Sequence, residues 1–203
     1  MGIVEVKFVR KAKSLEIHGK ELNDLDKEII DFVKLLSCDY VIVSGYVTIL
    51  FGRSRTTEDV DIIVSIKNYK EFYKIWKKVY AKGYYCINED DPKEAYAIIS
   101  EGSSIRFARN NKIFPNFELK IPKNTVELTA INEKLKVKLG KEKINISPIE
   151  LQIAYKMYLG SDKDYEDARY LYLLLLKYID KDKLKMLIRG FGVERSAKQI
   201  LGV

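Results

Sequence analysis

The chain has 203 residues, of which 47% are hydrophobic and 32% charged. This is the composition of an ordered globular protein, and it excludes both a disordered chain and a membrane-spanning one, because no apolar run nears the roughly 18 residues that a span requires. A single histidine and two widely separated cysteines exclude Ser–His–Asp catalysis, multi-histidine metal sites and a disulfide scaffold.

Cys38 and Cys86 suit a reducing compartment. The opening residues "MGIVEVKFVRKAKS" lack the apolar segment of a secretory signal and the hydroxyl residue of a myristoylation site, so a cytoplasmic location without a membrane partner is expected. Any metal must be held by carboxylates, which favours a hard ion such as Mg²⁺ or Mn²⁺. The net charge of +7 suits nucleic acid or an anionic nucleotide, and equally a lysine-rich, thermophile-like proteome.

In chain order, "VEVKFV" reads as a strand. Residues 21–36 place Leu22, Leu25, Ile29, Phe32, Val33 and Leu36 at helical spacing. "DYVIVSG" reads as a buried strand, "YVTILFG" as a helix ending at Gly52, and "DVDIIV" as the next strand. "KNYKEFYKIWKKVYAKG" is amphipathic, with a core stripe expected from Tyr69, Phe72, Tyr73, Trp76 and Val79. "YYCIN" is a strand, and Asp91 and Pro92 begin a short helix. "SIRFAR" and "NFELKI" are strands about a turn at Asn110 and Asn111. Past Pro122, "KLKVKLGKEKINIS" alternates about Gly140 as a hairpin. A helix follows with Ser147 as its N-cap and Pro148 at its first position, and then a helical tail. Strands and helices alternate early and helices dominate late. The pattern predicts an α+β fold with an α/β unit over residues 1–122 and a hairpin plus helical unit over 123–203.

The chemistry concentrates in "SGYVTILFGRSRTTEDVDIIV", Ser44 to Val64. Side chains alternate along a strand, so Asp59 and Asp61 share a face, about 7 Å apart, while Val60, Ile62 and Val64 take the other. Two carboxylates at that separation raise each other's pKa, and a divalent cation between them reverses the sign of the interaction. Such an ion also neutralises the charge that develops in phosphoryl transfer. At the strand-to-helix turn, Gly45 permits close backbone approach, Ser44 offers a hydroxyl, and free amides suit a phosphate.

With "R-x-T-x-D-x-D" leading into an apolar strand, this segment resembles the nucleotidyltransferase superfamily with a DNA polymerase β-like fold. It is most similar to the AbiEii-toxin-like and related nucleotidyltransferase-like group. The resemblance implies a mixed sheet flanked by helices. It implies Ser44, Gly45, Arg55 and Thr57 at a nucleoside triphosphate, and Asp59 and Asp61 on Mg²⁺ or Mn²⁺. The family's third carboxylate falls on Glu118, where Asp is commoner; pairing of Glu118 with Lys120 or Arg106 is the structural alternative. Ser44 stands where the family more often has the first glycine of a pair.

Downstream, "SPIELQIAYKMYLGSDKDYEDARYL" resembles the group's Ser-Pro-x-Glu, helical Lys and Lys-Asp-x-x-Asp segment, at Ser147, Pro148, Glu150, Lys156, Lys163, Asp164 and Asp167. The resemblance gives Lys156 the triphosphate's charge, and Asp164 or Asp167 the orientation of that lysine or the role of base. The alternative is a helix cap at Asp164 and a dipole partner at Glu150. The implied activity is transfer of a nucleoside monophosphate from an NTP to a hydroxyl acceptor, with RNA such as tRNA, a protein or a small molecule as acceptor. The rivals are an inactive nucleotide- or RNA-binding module and a toxin neutralised by an antitoxin partner. His18 reads as a turn residue, and Lys11, Lys13 and Lys20 as a solvated basic face.

Overall fold

The computed structural model describes residues 5–9 and 14–203. Lys11, Lys13 and the residues that open the chain ahead of Glu5 lie outside the described residues. Among those described, nine strands form one mixed sheet. They are β1 (Glu5–Val9), β2 (Ser14–His18), β3 (Tyr40–Ile42), β4 (Asp59–Val64), β5 (Tyr84–Cys86), β6 (Ile105–Arg109), β7 (Asn116–Lys120), β8 (Leu135–Leu139) and β9 (Glu142–Ile146). Their spatial order is β1-β2-β8-β9-β3-β4-β7-β6-β5. The helices are α1 (Asp24–Val33), α2 (Gly45–Leu50), α3 (Tyr69–Ala81), α4 (Pro92–Ser100), α5 (Thr125–Asn132), α6 (Ile149–Leu159), α7 (Asp162–Leu175), α8 (Lys181–Phe191) and α9 (Glu194–Leu201).

The hairpin β8–β9 lies inside this sheet, parallel to β2 on one side and to β3 on the other. The change in texture near residue 122 is thus a change in element type, while the strands on either side of it share one sheet. β4 is central. It pairs antiparallel with β3 and parallel with β7. Such a strand is covered on both faces, which is why it reads as a near-continuous apolar run interrupted only where chemistry intervenes. Val60, Ile62 and Val64 enter the main core with Phe32, Phe72, Phe107 and Phe117. On the other face Ile63 joins Val41, Ala130, Ile131 and Leu151 in a second, smaller cluster beneath α5 and α6. Asp59 and Asp61 lie on that second face, at its open end.

Local chemistry explains most element ends. Asn23 caps α1 through a capping box with Asp26. The same Asp26, fully buried, accepts a hydrogen bond from the Tyr46 hydroxyl at 2.8 Å and pairs with Lys20 at 3.2 Å. That contact ties α1 to the start of α2. In α3 the buried residues are Phe72, Ile75, Trp76 and Val79; Tyr73 leaves the expected stripe and is exposed, stacking on Tyr69. The α6 start also differs from expectation. Pro148 is the N-cap, the helix begins at Ile149, and the Ser147 hydroxyl caps nothing; it turns instead to Gln152. His18 closes β2, exposed beside Glu16.

Candidate functional site

β3 runs into α2 through Ser44, whose backbone adopts φ 63° and ψ −136°, a conformation that normally selects glycine. Two features hold this turn. The carboxamide of Gln152, one helical turn before Lys156 on α6, clamps the Ser44 peptide from both sides: Ser44 N–H donates to Oε1 at 3.3 Å, and Nε2 donates to the Ser44 carbonyl at 2.9 Å. Ser147 Oγ donates to the same Oε1 at 2.8 Å and fixes the amide's orientation. Next to Ser44, Gly45 packs against Arg55. A Cβ on Gly45 would meet Arg55 Nη2 at 3.0 Å and Thr57 Oγ1 at 3.4 Å. The glycine is therefore what lets a guanidinium lie on the turn. Thr57 Oγ1 donates to the Asp59 carbonyl at 2.9 Å and shapes the entry into β4.

Asp59 and Asp61 are half-buried on one face of β4. The parallel register with β7 sets Asn116 across from Asp59, Glu118 across from Asp61 and Lys120 across from Ile63. Burial raises the Asp61 pKa. The charges of Glu118 and Asp59 push it further up, while the Ser44 hydroxyl and Lys120 oppose them. Glu118 is nevertheless not turned freely to the aspartates. Arg106 on β6 grips its Oε2, from Nε at 2.8 Å and Nη2 at 2.6 Å. Lys120 goes to Glu127, at 2.7 Å. Among the described residues no three His, Cys, Asp or Glu side chains gather as a metal cage, so the expected set of Asp59, Asp61 and Glu118 is not assembled as it stands. The donor set still fits a hard cation in one respect that the sequence does not signal. Asn116 Oδ1, buried across from Asp59, has no hydrogen-bond partner among the described residues. An oxygen orphaned beside two carboxylates is the ligand type that Mg²⁺ or Mn²⁺ takes.

On the other side of the turn a buried charge network joins α6 and α7 to the loop after α2. Asp167, with no exposed surface, receives Arg53, Arg55 and Lys156, the last at 2.7 Å. Lys156, almost fully buried, also reaches Asp164 Oδ1 at 3.0 Å. Burial alone would raise the Asp164 pKa, but hydrogen bonds from Ser161 and Lys156 outweigh it and hold the group below its usual range. Burial lowers the Lys156 pKa against the pull of Asp164. Asp167 takes all three cations, and Asp164 takes Lys156 and the Ser161 hydroxyl. They orient Lys156 and the two arginines. The N-cap of α7 is Ser161, not Asp164, and Glu150 accepts from the Asp180 N–H at the start of α8. Lys163 is exposed and offers its carbonyl.

Thus the sheet register and the α2 turn bring together Ser44, Gly45, Arg55, Thr57, Asp59, Asp61 and Glu118. A second cluster, Lys156, Asp164 and Asp167, joins them through Arg55. Arg53, Asn116 and Gln152 were not singled out in the sequence. Arg53 stands two residues before Arg55 and Gln152 four before Lys156, which are weak periodic hints; Asn116 is placed only by the β4–β7 pairing.

The overall fold has a counterpart among solved structures. An antigenic nucleotidyltransferase-like protein from Paracoccidioides brasiliensis superposes with a TM-score of 0.50 at 14% identity, covering 85% of this chain and 87% of that one. The fold is nucleotidyltransferase-like. The JHP933 protein of Helicobacter pylori also matches, at 15% identity and a TM-score of 0.41, over 90% of this chain and 100% of that one. No protein-family model and no curated protein matches the sequence.

Proposed function

We propose that this protein is a metal-dependent nucleotidyltransferase that moves a nucleoside monophosphate from an NTP to a hydroxyl acceptor. One observation carries the reading. A central strand of an apolar sheet spends two same-face positions on Asp59 and Asp61, beside an Asn116 oxygen that has no hydrogen-bond partner among the described residues and next to a turn on which Arg55 is packed. Charged groups in such a place are costly unless a ligand uses them.

Asp59 and Asp61 would hold Mg²⁺ or Mn²⁺ with Asn116 Oδ1. Glu118 would join through Oε1, since Arg106 holds its Oε2. The ion supplies charge neutralisation on the phosphate oxygens. The chain's own contribution is positioning. The Ser44–Gly45 turn, fixed by Gln152, presents backbone amides, and Arg55 lies over it with its charge directed by Asp167. Lys156 is enclosed with Asp164 and Asp167, so it acts through the placement of that network rather than by free contact. The acceptor oxygen bonds to the α-phosphorus, the bond from that phosphorus to the pyrophosphate oxygen breaks, and the hydroxyl proton passes to solvent. The basic balance of the chain favours an RNA acceptor such as tRNA. Among the described residues no helix is long and apolar enough to cross a membrane, and both cysteines are free thiols, which supports a cytoplasmic setting.

The test offers labelled ATP, CTP, GTP and UTP with Mg²⁺ or Mn²⁺ to total RNA and protein. Transfer is expected in the wild type and absent from an Asp59→Asn/Asp61→Asn double variant; transfer that persists in the double variant refutes the assigned roles. A second reading rests on the Glu118–Arg106 pair and the glycine-type backbone at Ser44: a module that binds nucleotide without turnover, which predicts NTP affinity and no label transfer. The AbiEii-like toxin assignment rests on the sequence resemblance, and growth arrest on expression alone, relieved by an antitoxin partner, is its test.

A further inference from the structure

A cavity of about 460 Å³ opens on the carboxylate face of the sheet. Its floor is Val43 and Ile63, and its walls include Gln152, Tyr155, Tyr158 and Phe191. We propose that this cavity seats the acceptor, and that the acceptor stacks a flat, base-sized ring system here and carries the attacking hydroxyl on the sugar attached to it. This inference rests on the nucleotidyltransferase reading.

Three observations point to it. The first is position. Ile63 follows Asp61 by two residues on the same face of β4, so the cavity begins about 7 Å from the aspartate pair. Gln152 is shared: it lines the cavity and clamps the Ser44 turn. The cavity and the phosphate turn are therefore parts of one site.

The second is direction. Arg55 packs on the Gly45 turn, at the Asp59 end of β4, where negative charge on a leaving pyrophosphate is best received. In-line displacement requires the attacking oxygen to approach from the side opposite the leaving group. Along β4, the side of Asp61 opposite that cationic end is the Ile63 end, where the cavity lies.

The third is lining. Tyr155, Tyr158 and Phe191 form a mutual aromatic cluster with ring centroids 5.4–6.0 Å apart. Tyr155 and Tyr158 are among the exposed large hydrophobic side chains of the protein, at 38% and 57%. An exposed aromatic wall is a stacking platform that tolerates any ring with a π-face. The charges at the rim cancel, because Lys120 pairs with Glu127 at 2.7 Å. The cavity thus suits a neutral ring system and not a polyphosphate. Its size is that of small-ligand pockets generally.

A base with a hydroxyl-bearing sugar comes from a free nucleoside or from the 3′ end of an RNA strand, and calorimetry separates the two. Adenosine, cytidine and a short RNA with a free 3′-hydroxyl are titrated into the full chain, with and without a saturating non-hydrolysable NTP analogue and Mn²⁺. At least one probe is expected to bind while the NTP analogue is present. Tyr155→Ala and Tyr158→Ala are expected to weaken that probe by about tenfold or more, with Tyr158→Phe restoring it and the NTP analogue's affinity held within about twofold throughout. Binding of the free nucleosides assigns a small acceptor; binding of the strand alone assigns an RNA end. The Asp59→Asn/Asp61→Asn double variant is expected to keep probe binding, which separates this inference from the metal assignment. Tyr158 is largely exposed, so its variants retain the fold, as their melting curves would show. The proposal is overturned if no probe binds the wild type, if the NTP analogue competes with the probe, or if the tyrosine variants weaken the NTP analogue instead. Each of the last two results would place the NTP's own base in the cavity.

Discussion

Replacing Asp167 by Asn tests the charge network most directly. Asp167 has no exposed surface and receives Arg53, Arg55 and Lys156, whose side chains are only 18%, 11% and 3% exposed. Removing one partner from a buried ion pair costs about 3–5 kcal/mol, because the remaining charge is left uncompensated. Two of the three cations keep another carboxylate, Arg53 through Glu166 and Lys156 through Asp164. The cost should therefore fall near the lower end, about 3 kcal/mol. For a chain of this length each kcal/mol lowers Tm by about 2–4 °C, so the expected shift is about 6–12 °C. Differential scanning calorimetry reads it. The same variant should also gain anion affinity, because three cations then face the turn with one carboxylate fewer. Pyrophosphate is expected to raise the Tm of Asp167→Asn by more than it raises that of the wild type. A loss of stability under about 1 kcal/mol, together with no differential response to pyrophosphate, would refute the network as the organiser of the site.

Other outcomes follow from the same geometry. Gly45→Ala places a Cβ 3.0 Å from Arg55 Nη2 and displaces the guanidinium, so transfer should fall while calorimetry still shows a folded protein. Ser44→Gly relieves a backbone conformation that costs a non-glycine residue about 1–3 kcal/mol, so Tm should rise by a few degrees; an unchanged or lower Tm would mean that the turn is not strained. Asp164 has a folded pKa below its ordinary value of 3.8, so the stability it contributes is present above about that pH and is lost as the pH falls through the lowered value; the stability gap between wild type and Asp164→Asn, followed by acid titration of urea unfolding, should be constant at neutral pH and close below pH 3.8. Mn²⁺ at about a hundredfold over its Kd should stabilise the wild type by about 2.7 kcal/mol and leave the Asp59→Asn/Asp61→Asn variant unmoved.

Most of the elements, and the aspartate pair, are legible in the sequence. Period-two alternation in "DVDIIV" put Asp59 and Asp61 on one face before any tertiary contact was known, because strand geometry is local. Helical spacing likewise gave α1 and α3, and the Ser147–Pro148 start signal marked α6, although Tyr73 shows that membership of a helix does not settle which flank is covered. Two elements carried little signal. β2, "SLEIH", is five residues long, and α5, "TVELTAIN", is a two-turn helix with a weakly amphipathic pattern. Tertiary structure alone decided the partners. The parallel pairing of β4 with β7 brought Asn116 to Asp59 and Glu118 to Asp61, and the antiparallel pairing of β7 with β6 gave Glu118 to Arg106. Gln152 reaches Ser44 across 108 positions, and Arg55 reaches Asp167 across 112. A local pattern encodes which way a side chain points. Which charge it meets depends on register and packing between segments far apart in the chain, and those are fixed only when the whole sheet closes on its helices.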